Sequence, residues 1–369
     1  MRFVAEQATL HHVLQTVSRI VSPQTTLPVL SGVLVEASTD GVVFSASDLV
    51  SRITASLACE VEEPGRMVLP AAMLTELIQR IPTAEVRVTG DDMTGRASVN
   101  YGKSHATLNG FAGTEMPQFP SLQDGAVEFV LGPGALPRMT RETLFSTARD
   151  ETRPILKGVL LSVAEGKAVL VATDGTRLSH TWVPVPEFRG EAPSVVVPAR
   201  ALQEAQRLAG AEAVTVRLDS TLLEFAGAGG TLTTLLLDGR YPDYQRVVPS
   251  QYVADVRVPT GALRGALERV NLVAHRDRGG SIRFRAAPGR LEISTEAADV
   301  GQAYEELETE GRGEPMELSF NPALLLDAVR SIDSEDVLMD FSGTQMPARI
   351  RPAEGSQYFH IVLPLRQLV

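Results

Sequence analysis

The sequence predicts an α+β fold of three similar domains, each with two short helices and antiparallel sheets. The first observation is a repeated phrase, because residues 28–36 (PVLSGVLVE) recur 126 positions later as residues 154–162 (PILKGVLLS). The second is that each third of the chain has a proline that starts an amphipathic stretch ending in arginine, at Pro70, Pro198 and Pro322. Both phrases have nearly the same period, close to a third of the 369 residues, and a unit of that length is an ordinary domain.

Turn-rich junctions separate the three units. The polar segments 123–126 and 249–251 place the expected domains at 1–124, 125–249 and 250–369. No low-complexity linker lies between them, so we expect the domains to pack rigidly in a row.

Amphipathic stretches predict two helices in each unit. In the first, Leu10, Val13 and Leu14 begin a series with the spacing of a 3.6-residue helix, which places one apolar stripe on a single face. In the second, Pro70 is favourable near a helix start and Pro82 stops the helix. The same reasoning predicts six helical stretches, at 10–21, 70–80, 134–149, 198–209, 260–275 and 322–332.

Short β-rich segments bounded by turn residues surround these helices. The glycine run at 227–230 lies between two of them and therefore predicts a hairpin turn, because a phosphate-binding loop would have to open a helix. Runs of strands interrupted by only two helices per unit are typical of α+β domains and not of a parallel βαβ design. The clearest strand segments are 41–48, 86–89, 106–109, 168–173, 214–217, 232–237, 282–285, 291–294, 337–341 and 359–363.

The charge distribution leaves a nucleic-acid partner open although the net charge is −11. The six helical stretches together carry +5, which leaves −16 for the rest of the chain. Basic helices on an acidic body suit a protein that holds a polyanion on one surface and repels it elsewhere. The alternative is that arginines near helix C-termini complement the helix dipole.

The composition predicts a cytoplasmic protein. The N-terminal segment has no apolar run long enough for a signal peptide, and no stretch approaches the length of a membrane span. A single cysteine, Cys59, forms no internal disulfide and suits a reducing compartment.

The sequence predicts neither an enzyme nor a metal or cofactor site. The six histidines are scattered without a metal-binding spacing, and no nucleophile elbow occurs. The acidic pairs at 91–92 and 305–306 have no partner at a spacing that suggests an acid and a base. A binding or scaffold role is therefore favoured over catalysis.

Three segments carry a family resemblance: 171–178 (VATDGTRL), 238–249 (DGRYPDYQRVVP) and 361–366 (IVLPLR). With the triplicated unit they resemble the bacterial sliding clamps, the beta subunits of DNA polymerase III. The resemblance covers essentially the whole chain. It implies domains of the DNA-clamp type, and two subunits that close head to tail into a ring whose helices surround duplex DNA. It also implies a processivity factor that tethers the replicative polymerase and is loaded by an ATP-driven clamp loader.

The resemblance further implies a hydrophobic cleft between the middle and last domains that takes linear peptides from the polymerase, the clamp loader and repair polymerases. Aliphatic side chains would form the groove, and Arg177, Arg246 and Arg366 would lie at its rim. The alternative is that Leu178 and Val247 are core residues and that Arg366 is a solvated terminus. The matching positions are Leu156, Thr173, Gly175, Thr176, Arg177, Leu178, Pro242, Arg246, Val247, Val362, Leu363, Pro364, Leu365 and Arg366.

This sequence departs from the family pattern at three places. Thr176 stands where a histidine is common, leucines replace the C-terminal methionines, and residues 367–369 extend past the usual end. These departures are expected to alter the peptide preference or to fill part of the cleft. Leu30, the first-unit counterpart of Leu156, is expected to have no matching groove with arginines at its rim.

DNA contacts are expected to be sequence-blind and salt-sensitive, because sliding requires that no base is read. Gln24 occupies a loop position where the family often has a basic residue, so that loop is expected to hold DNA less strongly. Any of the candidate arginines has the alternative of capping a helix or pairing with a carboxylate. The candidates are Arg80, Arg138, Arg141, Arg149, Arg153, Arg200 and Arg207.

Ring closure is expected to join the first domain to the last domain of a second copy, forming a homodimer. A small apolar core flanked by complementary charges suits such an interface. A domain-internal role for Leu108 and Val273 is the alternative. The candidates are Lys103, His105 and Leu108 on one side, and Leu272, Val273, Glu305 and Glu306 on the other.

Two other classes of function remain open at this point. One is a three-domain scaffold that binds only proteins, and the other is an enzyme whose site is assembled between domains. A clamp slides off the ends of DNA that has been cut, whereas a surface binder stays.

Overall fold

The computed structural model describes residues 1–22, 25–188, 190, 192–274, 280–297, 300–355 and 357–365. Six α-helices occur in this part of the chain, two in each third. They are α1 (Gln7–Val17), α2 (Ala71–Arg80), α3 (Ala135–Thr143), α4 (Ala199–Ala209), α5 (Thr260–Ala274) and α6 (Pro322–Arg330). The described chain divides into two compact units, 1–137 with 200–236, and 138–199 with 237–369.

The first compact unit contains two antiparallel sheets. The five-stranded sheet has the order β5 (Glu60–Glu63), β1 (Arg2–Glu6), β7 (Glu85–Asp91), β8 (Arg96–Tyr101) and β9 (Ser104–Asn109). The nine-stranded sheet has the order β10 (Phe111–Ala112), β6 (Gly65–Pro70), β2 (Gly32–Ser38), β3 (Gly41–Ser47), β4 (Ser51–Leu57), β18 (Gly230–Leu235), β17 (Leu222–Gly227), β16 (Val214–Leu218) and β11 (Val127–Leu131). Pairing of β4 with β18 makes this sheet continuous across the first and middle thirds of the sequence.

The second compact unit is also built on two antiparallel sheets. Its nine-stranded sheet has the order β15 (Ala192–Pro198), β12 (Gly158–Ala164), β13 (Lys167–Thr173), β14 (Arg177–Pro184), β27 (Tyr358–Val362), β26 (Ala348–Pro352), β25 (Asp336–Phe341), β19 (Ala254–Pro259) and β23 (Glu310–Arg312). Its four-stranded sheet has the order β22 (Gly301–Glu308), β21 (Arg290–Ala297), β20 (Ile282–Ala287) and β24 (Met316–Phe320). Here β14 pairs with β27, which joins the middle third to the last.

The repeated phrase folds in the same way in both copies. A short 3₁₀ turn, Pro28–Ser31 or Pro154–Lys157, leads directly into β2 or β12. The glycine of the phrase is required because the neighbouring strand lies close. A Cβ at Gly32 would lie 2.3 Å from Val68 Cγ1, and one at Gly158 would lie 2.6 Å from Val196 Cγ1.

The helices pack with their apolar faces against the rest of the domain. Leu10, Leu14 and Val17 of α1 are buried, as the apolar stripe predicts. The hairpin prediction for 227–230 is confirmed, since Gly227 pairs with Gly230 across a two-residue turn.

The third predicted helix is too long. α3 ends at Thr143 and a 3₁₀ turn follows at Leu144–Ser146, so residues 147–149 lie outside any helix. The Thr143 hydroxyl donates to the Met139 carbonyl oxygen at 2.7 Å, and the Thr147 hydroxyl donates to the Leu144 carbonyl oxygen at 2.8 Å. Such side-chain bonds compete with helix continuation, which periodicity does not reveal.

Candidate functional site

A tight turn between β13 and β14 forms the centre of the candidate cleft. Asp174 Oδ1 accepts hydrogen bonds from the backbone nitrogens of Thr176 at 2.8 Å and Arg177 at 3.1 Å. Gly175 has a φ of +90°, a conformation that favours glycine. Arg153 lies against this turn, and its Nη2 donates to the Asp174 carbonyl oxygen at 2.7 Å. The DGTR segment therefore has a fixed local shape.

Arg177 is buried beneath the turn and does not lie at a rim. Its Nε lies 2.9 Å from Asp174 Oδ2, and its Nη1 lies 2.7 Å from Asp327 Oδ2 on α6. Its Nη2 donates to the Phe145 carbonyl oxygen, and its guanidinium lies 5.5 Å from the centre of the Phe145 ring. The predicted rim role of Arg177 is wrong, because a charge this deeply placed is held by partners within the subunit. It ties the turn to α6 instead.

The floor of the candidate cleft is an apolar cluster on the sheet. Leu156 and Leu178 are each 2% exposed and pack with Val171, Tyr241 and Ile361. The burial of Leu178 therefore agrees with the alternative, that it is a core residue. Two further predicted positions, Thr173 and Val362, are also buried, and the Thr173 backbone nitrogen donates to the Tyr241 hydroxyl at 3.1 Å.

Three apolar side chains at predicted cleft positions are exposed, and we call them the apolar rim: Val247 at 44%, Leu363 at 37% and Leu365 at 41%. The Leu363 nitrogen donates to the Thr176 carbonyl oxygen at 3.0 Å, which places it beside the turn. The same apolar cluster holds Val248, the neighbour of Val247. The apolar rim is thus where a partner's apolar side chain has access.

The remaining predicted cleft residues are polar or lie around the rim. Pro242, Thr176 and Arg246 are exposed, and Pro364 is half-buried. The Arg246 side chain is 84% exposed and pairs with Asp243 at 2.9 Å. Arg366, like residues 367–369, lies outside the described residues.

Sequence reasoning missed a buried polar network behind the cleft. The Ser179 hydroxyl lies 2.8 Å from that of Ser146 and 2.7 Å from His360 Nδ1. Burial lowers the pKa of His360 to about 3, so the ring is neutral. A serine beside a histidine is also the pairing of a hydrolase site, but both residues are fully buried and out of reach of a substrate. The inward-facing polar residues of β14 are the only signal in the sequence.

The seven predicted DNA-contacting arginines mostly have partners. Arg138 donates to the side-chain oxygen of Gln357 at 2.9 Å, and Arg153 contacts the turn described above. Arg149 is exposed, and no described carboxylate lies within ion-pair distance of it. Exposed pairs contribute little and are readily exchanged for phosphate contacts. Four pair with carboxylates: Arg80 with Glu76, Arg141 with Asp333, Arg200 with Asp48 and Arg207 with Glu204. Gln24 lies outside the described residues.

Two sheet edges carry the predicted subunit contacts. β9 ends the five-stranded sheet and β22 ends the four-stranded sheet, so each presents unpaired backbone groups. Lys103 and His105 are exposed at β9, whereas the Leu108 side chain is buried inside its own domain. The burial of the Leu108 side chain therefore agrees with the alternative, a role inside its own domain.

The second edge offers both apolar and acidic side chains. Leu272 on α5 is 72% exposed, and Val273 is half-buried. Glu305 on β22 makes two bonds of 2.7 Å to Arg269, which lower the pKa of its carboxyl. Glu306 is exposed and accepts from a tyrosine hydroxyl of its own strand.

Among the described residues, no helix is long and apolar enough to cross a membrane. No group of three or more histidine, cysteine, aspartate or glutamate side chains in the same ranges is placed to hold a metal ion.

Family models for the N-terminal, central and C-terminal domains of the DNA polymerase III beta subunit match residues 1–120, 131–243 and 245–366. The beta sliding clamp of Synechococcus elongatus is 31% identical over 99% of this chain and 99% of its own.

Solved structures of sliding clamps are similar to this chain over its whole length. The sliding clamp of Bacillus subtilis superimposes with a TM-score of 0.94 at 28% identity, covering 100% of this chain and 99% of its own. The clamp of C. crescentus gives 0.92 at 30% identity and covers 100% of both chains. The prediction of three clamp-type α+β domains is confirmed, and the chain belongs to the family of DNA polymerase III beta subunits, the bacterial sliding clamps.

Proposed function

We propose that this protein is a replicative processivity factor. Two copies close into a ring around duplex DNA, slide without reading sequence, and tether the replicative polymerase. The observation that carries the proposal is three consecutive clamp domains matched over nearly the whole chain. In this scheme the clamp itself performs no catalysis, needs no cofactor and acts in the cytoplasm with the replication machinery. The domain bounds 1–124, 125–249 and 250–369 belong to this proposal.

The encircled partner is double-stranded DNA. Arginines on the helices and the adjoining loops supply sequence-blind phosphate contacts, and Arg149 is the one of the seven candidates whose side chain makes no hydrogen bond or ion pair with a described residue. An acidic total charge of −11 disfavours binding elsewhere on the surface.

Topological binding has a direct test. The protein is loaded by a clamp loader with ATP onto nicked circular DNA, the DNA is cut once, and retention is followed by gel filtration. A ring slides off the cut ends, so retention falls after cutting. Equal retention on circular and linear DNA would contradict the ring and favour a scaffold or surface binder.

Ring closure is assigned to the two sheet edges. β9 of one subunit pairs with β22 of the other, with Lys103 and His105 facing Glu305 and Glu306. Open antiparallel edges with opposite charges support this pairing, because charge complementarity fixes the register.

Tethering is assigned to the apolar rim and the floor beneath it. A linear peptide from the polymerase, the clamp loader or a repair polymerase places an apolar side chain on Val247, Leu363 and Leu365, near the exposed Arg246. The C. crescentus clamp structure has a polyethylene glycol bound at the region assigned to tethering of the beta motif.

Val247→Asp tests the tether. A carboxylate in the apolar rim is expected to weaken binding of a fluorescent peptide from the replicative polymerase at least about tenfold, since the peptide's apolar anchor would face a charge. Val253→Asp is the matched control, because Val253 is 62% exposed and lies outside the rim. Sedimentation of both variants as dimers shows that assembly is intact. Unchanged peptide binding by Val247→Asp would refute the assignment.

A further inference from the structure

A cavity of about 320 Å³ lies in the first repeat unit, between the nine-stranded sheet and the segment 113–121. Leu34 on β2, Ser47 on β3 and Arg52 on β4 line it from the sheet. Met116 and Phe119 line it from the covering segment. All of these residues belong to the first compact unit.

This cavity occupies the place in the first sequence repeat that the candidate cleft occupies in the second repeat. Both sit beside a turn of the same construction, since Asp48 Oδ1 accepts from the backbone nitrogens of Val50 at 3.0 Å and Ser51 at 2.7 Å, as Asp174 does in its own turn. Four residues of the cavity lining stand 126 positions before a predicted cleft residue, which is the interval of the repeated phrase. The pairs are Ser47 with Thr173, Arg52 with Leu178, Met116 with Pro242, and Ser121 with Val247.

Leu30 is expected to have no matching groove with arginines at its rim, and the two arginines of this cavity stand at positions that do not match the predicted rim arginines of the second repeat. Leu30, the counterpart of Leu156, packs with Val68 beneath Leu34 and Met116, and the cavity above them includes Arg52 and a second arginine. Repetition preserved the groove, and substitution changed its chemistry.

The lining suits one negative charge beside an apolar group. Arg52 and Arg66 make no ion pair with any described carboxylate, and Arg52 Nε donates only to the Thr54 hydroxyl at 3.1 Å. Ser45, 4% exposed, lies in the lining, and its hydroxyl bonds to no described residue. Guanidinium and hydroxyl donors bind carboxylates well. Glu36 is the only carboxylate in the lining, so the lining carries a net charge of +1 from its two arginines and one glutamate.

We propose that this cavity is a second docking site, which takes a short peptide segment of a protein partner carrying one carboxylate beside an apolar side chain. Its volume suits one or two side chains. A nucleic-acid strand fits less well, because it needs a row of cations and would bring phosphates against Glu36. The comparison with the second unit rests on the proposed tethering cleft, whereas the cavity and its arginines do not.

Methyl NMR of the full-length dimer tests the site. The protein has nine methionines, and the Met116 methyl lies in the cavity lining while Met93, 93% exposed elsewhere, reports non-specific effects. The probe is the synthetic peptide acetyl-Ser-Leu-Asp-Leu-Ser-amide. We expect a saturable shift of the Met116 signal, with affinity about tenfold lower for the version with Asn in place of Asp.

Variants locate the binding. Arg52→Gln, and independently the more exposed Arg66→Gln, are expected to weaken the Met116 response about tenfold at unchanged melting temperature, whereas Arg87→Gln on the other sheet leaves it unchanged. Val247→Asp separates this site from the tether, because it is expected to weaken polymerase-peptide binding at least about tenfold and to keep the Met116 response.

Several results would overturn the proposal. These are no saturable shift at millimolar peptide, equal affinity of the Asn peptide, or a response lost in Val247→Asp but kept in both arginine variants. A shift caused by oligothymidylate and not by the peptide would assign the cavity to nucleic acid instead.

Discussion

At the scale of single residues, Arg177 shows how a site residue acts from beneath the surface. Three partners hold its guanidinium, and two of them are carboxylates on different elements. Sequence similarity places Arg177 in the candidate cleft, but the depth of its side chain depends on Asp327, 150 residues away in sequence. The same holds for Leu178, whose burial no local pattern reveals.

Arg177→Gln is expected to destabilise the subunit by about 2–3 kcal/mol, since Asp174 and Asp327 lose their common partner while keeping some contact with water. Urea unfolding monitored by circular dichroism measures the change. Arg246→Gln is the matched control and should cost under about 0.5 kcal/mol, because its ion pair is exposed. Similar losses in the two variants would contradict the buried role.

At the scale of elements, the pairing of β14 with β27 brings a fully buried histidine into a seam between thirds of the chain. Both the strand periods and the three-domain plan were predictable, because alternation and the repeat are local signals. The network of Ser146, Ser179 and His360 was not, because strand partners from distant segments decide which polar residues meet.

This seam predicts acid sensitivity. Burial lowers the pKa of His360 to about 3, while an unfolded histidine titrates near 6.5, so the unfolded chain gains the proton first as pH falls. The stability due to a neutral His360 is complete above about pH 6.5 and falls by about 1.4 kcal/mol per pH unit below it. His180, with a pKa lowered to about 4, acts in the same direction, and the raised pKa of Glu142 opposes both.

His360→Asn is expected to flatten the fall in unfolding free energy between pH 6 and pH 5 by about 1.4 kcal/mol per unit. Urea unfolding at both values gives the slope. His12→Asn serves as the control, because it replaces an exposed histidine outside the predicted interface and is measured in the same way. An unaltered slope in His360→Asn would show that the ring is not excluded from protonation.

Leu272 lies on α5, which packs against the edge strand β22. Leu272→Asp places a charge on a 72% exposed side chain of the proposed interface and should raise the dimer dissociation constant at least about tenfold, measured by sedimentation. Met93→Asp, on a 93% exposed side chain outside the predicted interface, provides the comparison. Equal dissociation constants would exclude Leu272 from the contact.

At the scale of the whole molecule, charge is divided between arginine-bearing helices and an acidic remainder. That division could be counted from the sequence once the helices were predicted. The sequence does not show which arginines are free. Four of them pair with Glu76, Asp333, Asp48 and Glu204, and these pairs depend on side-chain placement.

Arg149→Ala is expected to lower the slope of log affinity for a short duplex against log salt by about 1, as befits the loss of one phosphate contact. Fluorescence anisotropy over a salt series measures the slope. Arg312→Ala removes an exposed arginine outside the predicted set and should leave the slope unchanged. If both variants behaved alike, Arg149 would have no special place on the DNA path.

The pairings of β4 with β18 and of β14 with β27 also have a mechanical meaning. Each is a ladder of backbone hydrogen bonds inside one compact unit, so neither of these two junctions between thirds of the chain acts as a hinge. Local opening of one third at its ladder would also expose the strand edge of the next third, so the two are expected to unfold together.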